Sequence, residues 1–396
     1  MLNSQNILIM QSGGCTPVLN RSLYGIVREA LSHSGDFREI YGARYGMEGI
    51  LAGDLIDLRR TPSDEWRRIA DTPGAVLGST RRKMRADDVQ PILDTLRRHN
   101  IGCWFIIGGN DSATTGHAVG QAAESAGMDL AVINIPKTID NDLVLTDHSP
   151  GYGSAARFVA LATMGAGRDA ESMGIASPIT VIEVMGRDAG WLAAASAFAK
   201  CDDRDAPHFI GLPEVALDET RFLDCMEDAY RRHGLAVAVV AENIRTPGGK
   251  PVGEQGEPYY TDDFGHPYYE GPAKHLAALV SARLGVRARH EKPGTIQRSM
   301  MECISRTDAQ EAEQVGRAAV RHALAGDRDI IMTLERARGD DYACTTGVAP
   351  LNAVGGKVKT MPPEYIDPDS NFVTPAFLDY ARPLLGDALP VYGRLR

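Results

Sequence analysis

Short apolar runs rich in β-branched residues recur along the chain, each leading through a glycine-bearing turn into residues with apolar positions at helical spacing. That alternation predicts βαβ units and a parallel sheet. Residues 6–10 run into Gln11-Ser12-Gly13-Gly14, after which apolar positions 19, 23, 26, 27, 30 and 31 mark one helix face. Residues 103–107 enter Gly108-Gly109-Asn110-Asp111-Ser112, and 130–135 enter Pro136-Lys137-Thr138-Ile139-Asp140-Asn141-Asp142. Residues 179–184 enter Met185-Gly186-Arg187-Asp188-Ala189-Gly190, and 235–241 end at Glu242. Open parallel sheets bind ligands beyond the carboxyl ends of their strands, so these turns are expected to converge on one cleft. Between Arg245 and Pro272, Gly, Pro and Tyr break the periodicity and predict a surface excursion with a hairpin. A helix is expected after Thr307, with Asp308 as N-cap, Glu311 three residues on and Gly326 ending it. Six prolines beyond position 360 exclude one long helix there and predict a segment wrapping the surface.

Length and charge narrow the function classes. With 396 residues, 43% apolar and 24% charged, the chain has ample core for two domains and excludes disorder, collagen and a disulfide scaffold. A net charge of −10 argues against bulk nucleic-acid or anionic-membrane binding, so a phosphorylated ligand would need positive charge gathered locally. Six scattered cysteines without a C-x-x-C pair fit reduced thiols in a cytoplasm. The apolar run 7–10 is too short for a signal peptide or a membrane span.

Ser12-Gly13-Gly14 between a strand and a helix lets backbone N–H groups approach an anion, with phosphate the natural guess. The plain alternative is a tight connection; a second such turn at 108–112 reinforces the functional reading. Residues 137–142 place a cation, a hydroxyl and two carboxylates within six positions. Asp140 could accept a proton from an attacking hydroxyl and Asp142 could hold a divalent metal, against the alternative of an Asx-rich turn. Gly186 permits close approach, and Arg187 could stabilise a transferring phosphoryl group or form a surface ion pair. Arg81-Arg82-Lys83 with Arg85 could clamp a polyphosphate or be a solvated face. Glu242 could bind sugar hydroxyls, and Arg289 and Arg298 a distant phosphate. The histidines show no ligand spacing, so no zinc site is expected.

In order, Ser12-Gly13-Gly14, Gly108 to Ser112, Pro136 to Asp142, Met185-Gly186-Arg187, Glu242 and Thr295-Ile296-Gln297-Arg298 resemble the phosphofructokinase family over nearly the whole chain. The resemblance implies an α/β fold of two three-layer αβα domains with mainly parallel sheets, the active site in the cleft between them. It implies magnesium-dependent phosphoryl transfer to the 1-hydroxyl of fructose 6-phosphate. Asp140 then resembles the base, with Thr138 and Arg187 flanking the transferring group and Ile139 beside them. Gly14 resembles a donor contact, to which Arg81, Ser112 and Lys137 are added. Met185, Gly186, Glu242, Arg298, Arg289 and Thr295 correspond to sugar-phosphate contacts. Asn110 falls where a magnesium-binding carboxylate usually sits, so the metal is assigned to Asn110 and Asp142.

Two positions bear on the donor. Relatives that use ATP carry glycine at the positions of Asp111 and Lys137, whereas diphosphate users resemble this chain. Asp111 would fill the space of an α-phosphate, and two like charges about 4 Å apart at an effective dielectric near 20 repel by roughly 4 kcal/mol. Lys137 would reach the terminal phosphates of a short donor. Reversible, diphosphate-dependent transfer is therefore expected, with ATP as the rival donor, sedoheptulose 7-phosphate as the rival acceptor and a non-catalytic sugar-phosphate sensor as the rival class. The donor domain is placed at 1–150 plus 298–360 and the sugar-phosphate domain at 151–297 plus 361–396. A cytoplasmic homodimer or homotetramer is expected, without nucleic-acid or membrane partners. Three departures stand out: Asn110 in place of a carboxylate, Thr295 where relatives carry His or Tyr, and Pro178 where many carry Arg.

Overall fold

Apolar residues alternate between two helical layers because both faces of the larger sheet are covered, which is why its strands read as nearly continuous apolar runs. The parallel core of that sheet holds β1 (Gln5–Gln11), β2 (Phe37–Ala43), β4 (Ile101–Gly108) and β5 (Ala131–Pro136), with β3 (Leu55–Asp57) at one edge. Strands Ile330–Arg336 and Cys344–Pro350 complete it, in the order Cys344–Pro350, Ile330–Arg336, β5, β4, β1, β2, β3. Only the two edge pairings are antiparallel. Ile7, Ile9, Phe105, Ile107, Ile133 and Ile135 face helices Leu19–Ser32 and Arg306–Ala325. Leu8, Met10, Trp104, Ile106 and Val132 face helices Val89–Arg98 and Asn110–Ser125. Each such buried side chain contributes about 1.5–3 kcal/mol, and together they fix the register that delivers the turns to one end of the sheet.

The computed structural model describes residues 5–254, 260, 261, 267, 268, 270–339 and 341–395. It divides into two units: Met1–Tyr152, Arg298–Glu302 and Asp308–Lys359 form unit 1, while Gly153–Gln297, Cys303–Thr307 and Thr360–Arg396 form unit 2.

Unit 2 is built on four parallel strands in the order Ala288–Glu291, β6 (Ile179–Val184), β8 (Ala236–Ala241), β7 (Phe209–Gly211). β6 and β8 are buried at every position. Helix Glu219–His233 shows how sequence sets its ends: Asp218 accepts from the N–H groups of Thr220 and Arg221 at 2.9 and 3.2 Å, and Gly234 closes it at φ 75°. Among the described residues no helix is long and apolar enough to cross a membrane.

Two local expectations change. The helix expected to start at Asp308 starts at Arg306, so Asp308 lies inside its first turn; buried, its carboxylate accepts the Gly151 N–H at 2.7 Å. A bond to a distant loop has replaced the cap, while Gly326, at φ 94°, does follow the helix. In the 245–272 excursion, Tyr260–Thr261 and Pro267–Tyr268 pair antiparallel; the connecting residues lie outside the described ones.

Candidate functional site

In unit 1 the first turn is pinned before any ligand arrives. Gly13, at φ 79°, donates its N–H to the Thr80 carbonyl at 2.9 Å, and the Ser79 hydroxyl donates to the Gly13 carbonyl at 2.7 Å. Gln11, fully buried, donates to Asn20 and accepts from the Leu77 N–H, tying the strand end to the same stretch. Three cations converge on this turn. A β-carbon on Gly13 would stand 3.1 Å from Lys137 Nζ, and one on Gly14 would stand 2.4 Å from Arg298 Nη1 and 3.8 Å from Arg81 Nη2. Lys137 is only 5% exposed, and burial pulls its ammonium down to about 8, with Arg298 pushing the same way and Cys15, Asp140 and Asp142 opposing. Arg82 does not join them: it pairs with Asp88 at 2.6 Å and Glu48 at 3.4 Å.

β4 and β5 bring the second and third turns side by side, Gly108 pairing with Pro136. Asn110, Asp111 and Ser112 form the first turn of helix Asn110–Ser125 rather than a loop. Ser112 is buried, and its hydroxyl occupies the space where a Gly108 side chain would go. Asp111 is exposed. Asn110 Nδ2 donates to Asp142 Oδ2 at 3.3 Å, while Asn110 Oδ1 is buried with no hydrogen-bond partner among the described residues. Burial holds the Asp142 carboxyl above its ordinary value, against the Thr138 hydrogen bond and the charges of Lys137 and Lys359. An orphaned amide oxygen beside a buried carboxylate is a pair of hard oxygen donors, which suits a magnesium ion completing its shell with water and phosphate.

The 137–142 segment is shaped by residues of no chemistry of their own. The Thr138 hydroxyl accepts the Asp140 N–H at 3.1 Å, and Ile139 is buried. Asn141, fully buried at φ 56°, turns the chain between the two aspartates, its Oδ1 accepting the Ser149 N–H at 3.1 Å. Behind it, Lys359 donates its N–H to the Asp142 carbonyl at 2.7 Å and its ammonium to the carbonyls of Asp147 and Thr146 at 2.8 and 3.1 Å. His148 bridges Asp147 (2.8 Å) and Glu311 (2.6 Å); burial opposes its proton, yet these bonds hold it above its ordinary value.

Unit 2 gathers a different set. Gly186, at φ 119°, leaves no room for a side chain, since a β-carbon would lie 2.8 Å from the Ala189 carbonyl oxygen. Met185 donates its N–H to Gln297 Oε1 at 3.2 Å, and Glu242 donates its own to the Val184 carbonyl at 2.9 Å, so both stand at the carboxyl ends of β6 and β8. Arg187 is exposed and pairs with Asp188 at 3.1 Å.

Residues 6–323 match the family model described as phosphofructokinase. The chain belongs to the phosphofructokinase family. It is 38% identical to the pyrophosphate–fructose 6-phosphate 1-phosphotransferase of Rhodospirillum rubrum, over 98% of this chain and 96% of that one. It is 37% identical to the protein of the same name from Xanthomonas campestris pv. campestris, over 99% and 94%. The crystal structure of the pyrophosphate-dependent phosphofructokinase of Marinobacter aquaeolei superposes with a TM-score of 0.88 at 33% identity, covering 98% of this chain and 94% of that one.

Two arginines, Arg298 and Arg289, are expected among the sugar-phosphate contacts. Arg298 belongs to unit 1 and lies against Gly14, as Arg81 does. Arg289 pairs in register with Thr180, near the start of β6, and its guanidinium bonds Asp169 at 2.7 Å. Three residues separate Thr180 from Val184, so the backbone of Arg289 pairs with β6 about 13 Å along the strand from its last residue. Thr295 is exposed in the short 3-10 turn Gly294–Arg298. The sequence reading missed Lys359 and Glu183, whose roles depend on contacts hundreds of residues or a whole strand away; only their charge within apolar surroundings could have marked them.

Proposed function

We propose that the chain is a diphosphate-dependent phosphofructokinase that reversibly transfers a phosphoryl group from diphosphate to the 1-hydroxyl of fructose 6-phosphate. One observation carries this reading: a nearly buried ammonium, Lys137, presses on the glycine turn where an anion's oxygens would sit. A compact, highly charged donor suits a glycine turn faced by Lys137, Arg298 and Arg81, and the names of the relatives above agree. Asp111, in the first turn of its helix, supplies negative charge where a longer donor would continue.

In the forward direction the Asp140 carboxylate takes the proton of the sugar hydroxyl as its oxygen bonds to the terminal phosphorus of diphosphate. The bridging P–O bond breaks and orthophosphate leaves with the electron pair, stabilised by Lys137. Thr138, by accepting the Asp140 N–H, orients the base; Arg187 supplies charge to the transferring group, and Glu242 and the Met185-Gly186 turn hold the sugar. Asn110 and Asp142 would hold magnesium, which when bound neutralises donor oxygens. The same reading takes the protein as a cytoplasmic homo-oligomer; gel filtration at assay concentration tests the assembly.

The test is a coupled assay with diphosphate and ATP side by side. Turnover with diphosphate exceeding that with ATP by at least 100-fold is expected, and the paired change Asp111→Gly with Lys137→Gly should narrow that ratio. Absence of diphosphate turnover in the wild type defeats the reading. A comparison of fructose 6-phosphate with sedoheptulose 7-phosphate sets the acceptor.

A further inference from the structure

We propose that buried Glu183 and the half-exposed Lys292 paired with it, beside the carboxyl end of β6, together set the charge of Glu242 for reading the sugar hydroxyls. This deepens the function proposed above and rests on it.

Glu183 is the next-to-last residue of β6 and only 2% exposed, an uncommon place for a carboxylate in a strand otherwise made of Ile, Thr and Val. Its Oε2 accepts the Ala273 N–H at 3.3 Å, at the N-terminus of the thirteen-residue helix Pro272–Leu284, and its Oε1 lies 2.6 Å from Lys292 Nζ. The fold makes room for this: a β-carbon on Gly271 would stand 2.2 Å from Glu183 Oε2. The strand Ala288–Glu291 pairs with β6 through Glu291 and Ile182, which brings Lys292 alongside Glu183. A helix N-terminus, a glycine and a lysine are thus all spent on one carboxylate to which the reaction assigns no role.

What it can act on is Glu242. β6 and β8 pair with Glu183 opposite Val240, so Glu242 lies two residues further along the neighbouring strand. Burial, then Glu183, holds the Glu242 carboxyl above its ordinary value, while Lys292, Arg187 and the Gly186 N–H pull it back. Both cations are about half exposed; Arg187 is engaged with the equally exposed Asp188, whereas Lys292 is held against a buried carboxylate. The remaining charged groups at the start of helix Pro272–Leu284 are paired elsewhere, Lys274 with Glu270 and His275 with Glu219. Without Lys292 the two carboxylates would face one another with Arg187 as the remaining cation, and Glu242 would hold its proton to higher pH and present a donor where the sugar requires an acceptor.

The test combines kinetics with a direct titration. Lys292→Met should raise the KM for fructose 6-phosphate at least tenfold at pH 7, keep kcat within about threefold, and move the acid limb of kcat/KM to higher pH. Lys292→Arg should restore both, and the double variant Glu183→Gln/Lys292→Met, which removes both charges, should return the limb toward the wild-type position. The 13C carboxyl shift of Glu242, assigned by its loss in Glu242→Gln, should titrate at higher pH in Lys292→Met whether or not the protein turns over. An unmoved Glu242 titration in folded Lys292→Met overturns the proposal. A shifted titration in a protein whose wild type lacks diphosphate turnover overturns the function proposed above and leaves the pair's control of Glu242 intact.

Discussion

On the function proposed above, the two units meet the same problem, holding a phosphorylated ligand in an acidic chain, with opposite materials. Unit 1 aims Lys137, Arg298 and Arg81 at two glycines and leaves Lys137 nearly dry; unit 2 sets Glu242 beside Glu183 and keeps its arginine, Arg187, exposed. A buried, pre-aimed cation interacts with a phosphate far more strongly than an exposed one, but carries the cost of its own desolvation. An exposed arginine paired with Asp188 carries little such cost and must change partners to act. Charge in unit 1 is therefore built in, and in unit 2 it is recruited.

The sharpest break of this contrast is Asp140→Asn, which leaves the cations of unit 1 in place and removes the proton acceptor. It should lower kcat by about 10²–10⁴ while the KM values move within a few-fold; a loss below tenfold would return Asp140 to a turn residue. Next, Gly14→Ala puts a methyl group against Arg298 and should raise the KM for diphosphate by at least tenfold, leaving that for the sugar phosphate nearly unchanged. Gly186→Ala is its mirror, expected to act on the sugar KM alone.

A pH series sharpens the claim that the charge in unit 1 is buried. Lys137 sits at about 8 when folded against 10.5 for an ordinary lysine, so diphosphate KM should climb by about tenfold per pH unit above 8. Stability runs the other way. Between about 8 and 10.5 the unfolded chain holds a proton the folded one has lost, so this lysine's contribution rises with pH there, and its penalty is present in full below 8. Lys137→Met should accordingly raise the melting temperature at pH 7 while it abolishes the KM trend. The smallest effect is expected for Asn110→Asp: a carboxylate facing Asp142 at the present 3.3 Å should lower Tm without magnesium and restore it with magnesium, by differential scanning fluorimetry.

Much of this was readable before any coordinates. β4, β5, β6 and β8 announce themselves because strands covered on both faces must be apolar throughout, and the turns because glycines interrupt those runs at the carboxyl ends. Composition could not say where long side chains end. Arg298 reaches back to a turn 284 positions earlier, Arg289 is held by Asp169 near the start of its neighbouring strand, and Arg82 is absorbed by Asp88 although Arg81 beside it is not. The Asp308 carboxylate likewise looks like a local cap and serves a distant backbone instead. Each of these is a flexible polar side chain whose partner is chosen by the tertiary fold, whereas backbone periodicity is chosen locally.

The turn at Gly13 and Gly14 has one more implication, for handling the protein. Lys137, Arg298 and Arg81 bring like charges to this turn, which a small oxyanion would neutralise. Orthophosphate, sulfate and arsenate should all settle there, steadying the fold and obstructing the donor together. A storage or assay buffer made from one of them would then be a silent competitor, and the reaction's own released phosphate would slow it as it accumulates.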